Sequence, residues 1–559
     1  MSSQQVDEKK EEQISPPPFS EINESGHVQE LERNFSLISI CSVGIVTGNT
    51  WAAIGGSIAV AIYNGGPPGV LYEFIAVSIF YWMIAASIAE LASSMPSSAG
   101  VYHWASITPG PKYGPICGFF AGWWNTFAWI IGAGNDACIL SLDSFRAQIC
   151  LTHALVSSIS SIAGQIAIGM YGISHSEYAP ERWHLFIAQL VISWICCCTV
   201  LFANRALPEI NRVGLFFILA GVFTTILVCV IMPHTNGSGY ATTSFVWYEW
   251  SNQTGYTSDG FVFLAGMLNG AFSVGTPDCV AHLAEEIPNP KRNIPLAIGA
   301  QMAIGFCTAL CFLVTIFYSV SDLDAVLGSL YFPLAQIYYQ ATSSSAGAIG
   351  LLFVIFFPMM CCTIGCFITA GRGLWTLARD EAVPFSKQLG HISPRFKNPF
   401  NATLLCGVIT TILAAINVGS TTAFNAIVGS YVVLSTLSYV AAILPFILTR
   451  RFSRASHPPG PYINNMQPGY FHMSSLVGYT VNIIGSAYII VFVVIFCFPY
   501  SMPVTALNMN YASLITGAIS IFAGVYWLVV RKDYVGPRVL LEHHVGESVV
   551  SAEGGVKTA

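Results

Sequence analysis

The chain has 559 residues, of which 54% are hydrophobic and only 9% charged, with a formal net charge of −6. Soluble domains devote about a quarter of their residues to charge, so the composition excludes an ordinary soluble enzyme or a nucleic-acid-binding module and points to a chain built for lipid. Much of the negative balance lies in an acidic, Pro-bearing leader (Asp7, Glu8, Glu11, Glu12 and Pro16 to Pro18), too polar to bury a core.

In chain order, residues 1–35 are expected to be a disordered cytosolic tail. They lack the apolar centre of a cleavable signal, so the first span itself is expected to direct insertion. Apolar segments then run roughly over 36–63, 69–92, 115–141, 184–203, 212–232, 259–284, 296–319, 345–370, 400–417, 421–448, 476–498 and 505–530, each near the length that crosses a bilayer. Residues 531–559 form a second tail. With twelve spans and both tails on one side, every Lys and Arg except Arg146 and Arg182 falls on that side, and the positive-inside rule makes it the cytoplasm. Two glycosylation sequons, Asn236-Gly-Ser238 and Asn252-Gln-Thr254, occupy the one sizeable loop this topology places outside. Of the 16 cysteines all but Cys150 lie in these spans. They read as small apolar residues, with no disulfide framework, metal site or cofactor implied.

The first span carries Ser42 to Gly56, with Thr47, Gly48, Asn49, Thr50 and Trp51 at bilayer depth. The second ends in Glu90, followed by Pro96, Gly100 and Tyr102. The third contains Trp123, Trp124 and Trp129 and is then disturbed: Asp136, Asp143 and Arg146 interrupt it, and a further apolar run, 153–172, follows. A thirteenth span there would reverse every later loop and destroy the charge asymmetry. With residues 135–156 removed, 128–134 joins 157–164 as one helix, so this stretch reads as an unspliced intron or, alternatively, a genuine extracellular insertion.

The sixth span has Gly266, Asn269, Gly270, Phe272, Ser273, Gly275, Thr276, Pro277 and Asp278. Proline removes an N–H and clashes with the preceding turn, so a break is expected just before Pro277. Interruptions five spans apart are the pattern of a transporter built from two inverted repeats, with substrate at the breaks. Beyond the break Asp278, His282, Glu285 and Glu286 share one helical face. Asp278 is the deepest ionisable group and the first candidate for substrate or proton. His282 reads as a satisfied structural imidazole. Glu285 and Glu286 read as an inner gate that closes by pairing with cations. The eighth span ends in Gly371, Arg372, Trp375, Arg379 and Asp380.

The Glu90-to-Tyr102 string, the Asp278/His282/Glu285/Glu286 spacing followed by Pro288 and Pro295, and the Gly371-to-Asp380 string resemble the amino acid–polyamine–organocation permeases. The chain looks like their fungal amino acid/choline branch, which includes choline and GABA permeases. The resemblance implies an all-α integral membrane fold of twelve transmembrane helices: two inverted five-helix repeats with broken helices 1 and 6, plus two extra helices. It also implies secondary transport at the plasma membrane. The G-x-G common in the first helix of amino-acid permeases is replaced here by Thr47-Gly-Asn-Thr-Trp51.

A quaternary ammonium such as choline needs aromatic faces, for which Trp51, Trp123, Trp124, Trp129 and Phe272 are candidates, with Asp278 as counter-charge. A zwitterion such as GABA or an amino acid would use the backbone around Thr47, Gly48, Asn49 and Thr50 for its carboxylate and Asp278 for its amine, with Ser273, Gly275 and Thr276 as further substrate-site candidates at the second break. If protons are coupled, Asp278 and Glu90 are the candidates. A nutrient sensor without turnover is the rival from another class, and its long cytosolic extension is not seen. No Gly-rich phosphate loop or nucleophile–base pair supports a catalytic reading.

Overall fold

The computed structural model describes residues 29–56, 58–134, 159–175, 177–329, 332–419, 421–452, 466–506, 508–532, 534, 536 and 537. The described chain is mostly helical. Its principal helices are α1 (Leu37–Gly48), α2 (Thr50–Gly56), α3 (Ile58–Tyr63), α4 (Gly66–Ser94), α5 (Val101–Ile107), α6 (Gly114–Gly134), α7 (Ile159–Ser174), α8 (Arg182–Phe202), α9 (Leu207–Thr235), α10 (Asp259–Val274), α11 (Pro290–Tyr318), α12 (Pro333–Thr342), α13 (Ser345–Arg379), α14 (Phe400–Gly419), α15 (Thr421–Leu448), α16 (Ser475–Ile495) and α17 (Ala512–Val530). A 3-10 helix covers Ala281–Glu286. Two short strands, β1 (Asn64–Gly65) and β2 (Ser251–Asn252), pair antiparallel and tie the end of the first segment to the loop before α10. Gly65 at φ 136° is required there, because a Cβ would overlap the Trp250 ring.

Among the described residues nine helices are long and apolar enough to cross a membrane, and α7, α10 and Phe400–Ile416 are shorter apolar helices. Their ends follow ordinary helix chemistry. Ser36 caps α1 in a reciprocal box with Ser39, and Ser258 and Ser344 cap α10 and α13, each supplying an oxygen to a first-turn N–H that no carbonyl reaches. Small residues set the close approaches: Gly266 and Gly270 of α10 lie on Glu73 and Val77 of α4, and Gly365 of α13 receives the Thr47 side chain. That is the usual route to tight helix packing where lipid offers no hydrophobic drive.

The third segment is in two pieces. Gly122 of α6 meets Leu377 of α13, and four residues on, Thr126 meets Gly373, four residues back. This is the register of two antiparallel helices. The next contact, Gly169 of α7 with Leu352, lies 43 positions further along the first strand of chain but only 21 back along α13. α7 therefore continues α6 in register with 22 positions to spare. The anomalous stretch 135–156, with Asp136, Asp143 and Arg146, lies outside the described residues. The described part of the apolar run at 153–172 thus packs along α13 as a continuation of α6.

The two interruptions are unequal. The sixth is large: α10 stops at Val274, residues 275–280 form turns, and the chain resumes as the 3-10 helix, as Pro277 requires. The first is much smaller than expected, a single residue. Asn49 sits at φ 28°, ψ 47°, yet its N–H still bonds Ile45 O at 2.9 Å and its carbonyl accepts from Ala52 and Ala53, each at 3.1 Å. Asparagine tolerates the left-handed region, so without a proline the helix is bent there and not unwound.

The leader also departs from expectation in its described part. Leu31 and Phe35 are buried, Gln29 donates to Glu285 O at 2.8 Å and Phe35 N–H to Glu286 O at 3.3 Å. Residues 29–35 thus lie against the 3-10 helix. Arg205 beside Glu32 holds that carboxyl below its ordinary range.

Candidate substrate site

Asp278 sits at the sixth break, fully buried. It is not the lone carboxylate the sequence suggests. Its Oδ2 accepts from Asn125 Nδ2 at 2.8 Å, Trp129 Nε1 at 3.1 Å and His282 Nε2 at 3.4 Å, and its Oδ1 accepts from the Tyr439 hydroxyl at 2.6 Å. Four donors from α6, α15 and the 3-10 helix replace the water that burial removed, which is the condition for keeping a charge at such depth.

His282 is the hinge of this arrangement. Its Nδ1 lies 3.1 Å from Ser98 O, opposite the Asp278 contact. The imidazole thus bridges the Ser98 carbonyl and the Asp278 carboxylate. Gly100 and Gly373 leave room for the imidazole.

The break frees backbone carbonyls, and those of Gly275 and Thr276 are taken. Gly275 O accepts from the hydroxyls of Tyr431 at 3.0 Å and Tyr439 at 3.4 Å. Thr276 presents its carbonyl and its hydroxyl to Gln301 Nε2, both at 2.9 Å, while Gln301 Oε1 accepts from Cys279 at 3.4 Å. Gln301 reaches this position because Gly44 and Gly48 have no side chain in its way. Phe272 packs edge-on against Tyr431 with ring centres 5.8 Å apart. The wall around Gly275 and Asp278 is therefore aromatic, from Trp129, Phe272, Tyr431 and Tyr439.

The other sequence candidates divide. Ser273 turns back to Asn269 O at 3.1 Å. Thr47 lies on Gly365 and Thr50 on Gly305, and Asn49 Nδ2 meets Met359 Sδ at 3.5 Å. Thr47 Oγ1 and Asn49 Oδ1 are buried without a hydrogen-bond partner among the described residues, so this bend retains unused capacity. Trp51 and Trp124 are not at Asp278. Trp51 is buried against Phe312, ring centres 5.2 Å apart, and Gly221, and Trp124 donates to Ser520 of α17 at 2.9 Å.

The remaining acidic candidates, Glu286, Glu285 and Glu90, pair with cations. Glu286 accepts from Nε and Nη2 of Arg372, the latter at 3.0 Å, and Arg372 also reaches Asn204 Oδ1 at 3.2 Å. Glu285 takes both contacts of Arg379 Nη1 at 3.2 and 3.1 Å, with that guanidinium 4.5 Å above the Trp375 ring. Glu90 is held by Arg451 and by Met473 N–H at 2.7 Å. Among the described residues no group of His, Cys, Asp or Glu is arranged to hold a metal ion.

Asn125, Tyr431, Tyr439 and Gln301 carry much of this geometry and were not singled out by sequence. The available signal was slight: isolated polar atoms in apolar spans, as far as 161 residues from Asp278 in the case of Tyr439.

Residues 35–519 match the family described as amino acid permease. The choline transporter of Saccharomyces cerevisiae is 30% identical over 527 residues, covering 92% of this chain and 85% of that protein. The GABA-specific permease of the same yeast is 24% identical, covering 95% of this chain and 88% of that protein. Among solved structures, a manganese transporter of Eremococcus coleocola superposes with a TM-score of 0.53 at 12% identity, covering 92% of this chain and 99% of that one. That likeness concerns the fold alone.

Proposed function

Because the chain belongs to the amino acid permease family, and so is a membrane transporter and not an enzyme, we propose that it imports a small nitrogenous cation, choline or a related amine. The observation that carries this reading is the aromatic wall around a buried carboxylate: Trp129, Phe272, Tyr431 and Tyr439 beside Asp278. A quaternary ammonium has no N–H to donate, so it is recognised by ring faces and a nearby negative charge. The partnerless Asn49 Oδ1 and Thr47 hydroxyl suit the single hydroxyl of such a substrate.

In this reading twelve spans form two inverted five-helix repeats plus two helices, with both termini cytoplasmic and the protein in the plasma membrane. The Glu285–Arg379 and Glu286–Arg372 pairs close the inner side, and the 29–35 strap lies over them. Inward movement of a cation is favoured by the membrane potential, about 2.3 kcal/mol per charge per 100 mV.

One observation favours a second reading. His282 lies 3.4 Å from Asp278, an imidazole and a carboxylate side by side, which suits a zwitterion such as GABA taken up with a proton. Uptake of labelled choline, GABA and a panel of amino acids by a permease-deficient fungal cell expressing the chain separates these. Saturable choline uptake that excess GABA does not inhibit is the expected result. Uptake confined to GABA or amino acids overturns the first reading, and no uptake of any of them returns the sensor reading.

A further inference from the structure

Glu73 lies in α4 seven residues from its outer end, so roughly 10 Å along the helix axis. It is 2% exposed, and neither carboxyl oxygen has a hydrogen-bond partner among the described residues. This sets it apart from the carboxylates at the site and at the inner gate: Asp278, Glu90, Glu285 and Glu286 all have donors. The space it occupies is provided by Gly266 of α10, where any Cβ would overlap the carboxyl. A buried carboxylate with no donor is far costlier than a buried neutral carboxyl, so this packing admits the protonated form.

The surroundings give it a route to the outer solution. Glu73 faces Gly266 and Val77 faces Gly270, so α4 and α10 run parallel through this stretch. Asn269 lies on α10 between those two contacts and is 3% exposed, and both of its amide atoms are likewise without a partner among the described residues. Asn269 also lines a cavity of about 60 Å³ together with Asn64, Thr254, Tyr256 and Tyr500, residues of the loops placed outside. One further step along the row of α4, Tyr81 adds a buried hydroxyl with no partner among the described residues, on the way to the Asp278 region. The titratable groups on the elements packed here are Tyr63 of α3, Asp259 at the start of α10, Tyr318, Cys307 and Cys311 of α11, Tyr431 and Tyr439 of α15, Tyr479 and Tyr488 of α16, and Tyr72, Tyr81 and Glu90 of α4 itself. Lys291 and Arg292 stand at the far, inner end of α11. None of these makes a hydrogen bond or ion pair to Glu73.

We propose that Glu73 takes up one proton from the outer solution in each transport cycle, by way of the cavity that Asn269 lines, and so couples substrate import to proton entry. This rests on the reading of the chain as an importer. With α10 displaced outward the carboxylate accepts the proton, –COO⁻ plus H⁺ giving –COOH. The neutral group can then be enclosed against Gly266, and the reverse step on the inner side returns the proton to the cytosol. Outer acid fills the acceptor and accelerates uptake.

The test is Glu73→Gln, which keeps the shape and removes the titration. At clamped voltage, wild-type uptake of whichever panel substrate is carried should accelerate as the outside is acidified, and the variant should keep uptake but lose the acid stimulation. An acid response retained in the variant, or one absent from the wild type, overturns the proposal. Infrared spectra of the purified protein in lipid provide a readout that needs no substrate. A protonated-carboxyl band present at neutral pH in the wild type and missing in Glu73→Gln is expected, and a wild type without that band overturns the proposal. Failure of the whole panel would refute import alone, leaving Glu73 to be judged by the band.

Discussion

Glu286→Gln should open the inner side of the protein. Arg372 is completely buried and its partner nearly so. Removing one member of a buried pair strands the other, at a cost of about 3–5 kcal/mol. Arg372 keeps its bond to Asn204 Oδ1 at 3.2 Å, so the lower end applies. About 3 kcal/mol taken from the closed arrangement shifts the closed-to-open ratio by roughly 150-fold. Cys279 is a suitable reporter, because it is fully buried next to Asp278 and bonded to Gln301. In inverted vesicles, with the other cysteines replaced, labelling of Cys279 by a polar thiol reagent should rise by about two orders of magnitude in the variant. The exchanged pair, Glu286→Arg with Arg372→Glu, should restore slow labelling. Labelling of Glu286→Gln as slow as wild type would refute the assignment of this pair to a gate.

Trp51→Ala should remove packing against Phe312 and Gly221 and cost about 3–5 kcal/mol of stability. Uptake of quaternary and primary amines should therefore fall together with the amount of folded protein, and a loss confined to the quaternary substrate would restore Trp51 to the site. A chain lacking residues 135–156 should fold and transport at least as well as the full chain, because α7 continues α6 on α13 with 22 positions to spare. Sequencing the major transcript tests the intron idea behind that expectation: codons for these residues in the message would remove it. A reporter fused after Ala559 should read as cytoplasmic, while a cysteine placed at the exposed Asn236 should react with an impermeant reagent from outside. The opposite pattern would invert the topology.

The parts of this molecule that local chemistry dictates were legible before any coordinates. Pro277 cannot continue a helix, and the polar face from Asp278 to Glu286 cannot face lipid, so the sixth break and the acidic stripe follow from sequence. Charge asymmetry similarly kept the run near 153–172 from being taken as a crossing. The first break was overestimated, because glycine and asparagine permit a bend without compelling one, and Asn49 keeps its helical bond to Ile45. The donors to Asp278 were missed for a different reason. Asn125, Tyr439 and Gln301 sit in spans whose local pattern is simply apolar, and their meaning comes from helices packed across the bundle. Trp51 and Trp129 show the same limit: both are tryptophans in mid-span, and only packing sends one to Phe312 and the other to Asp278. Glu73 did leave a signal, a carboxylate well inside the second span and distinct from the Glu90 that ends it, which by itself marks a functional candidate.

The central claim is that substrate binds at the aromatic wall around Asp278. Its most direct test is equilibrium binding of labelled choline to purified wild-type protein, Asp278→Asn and Tyr439→Phe, with folding checked by thermal melting. The account predicts saturable binding to the wild type, loss of binding in Asp278→Asn, and weakened binding in Tyr439→Phe, which removes one ring hydroxyl of the wall and leaves Asp278 a donor short. Undiminished choline binding by a folded Asp278→Asn protein would contradict it.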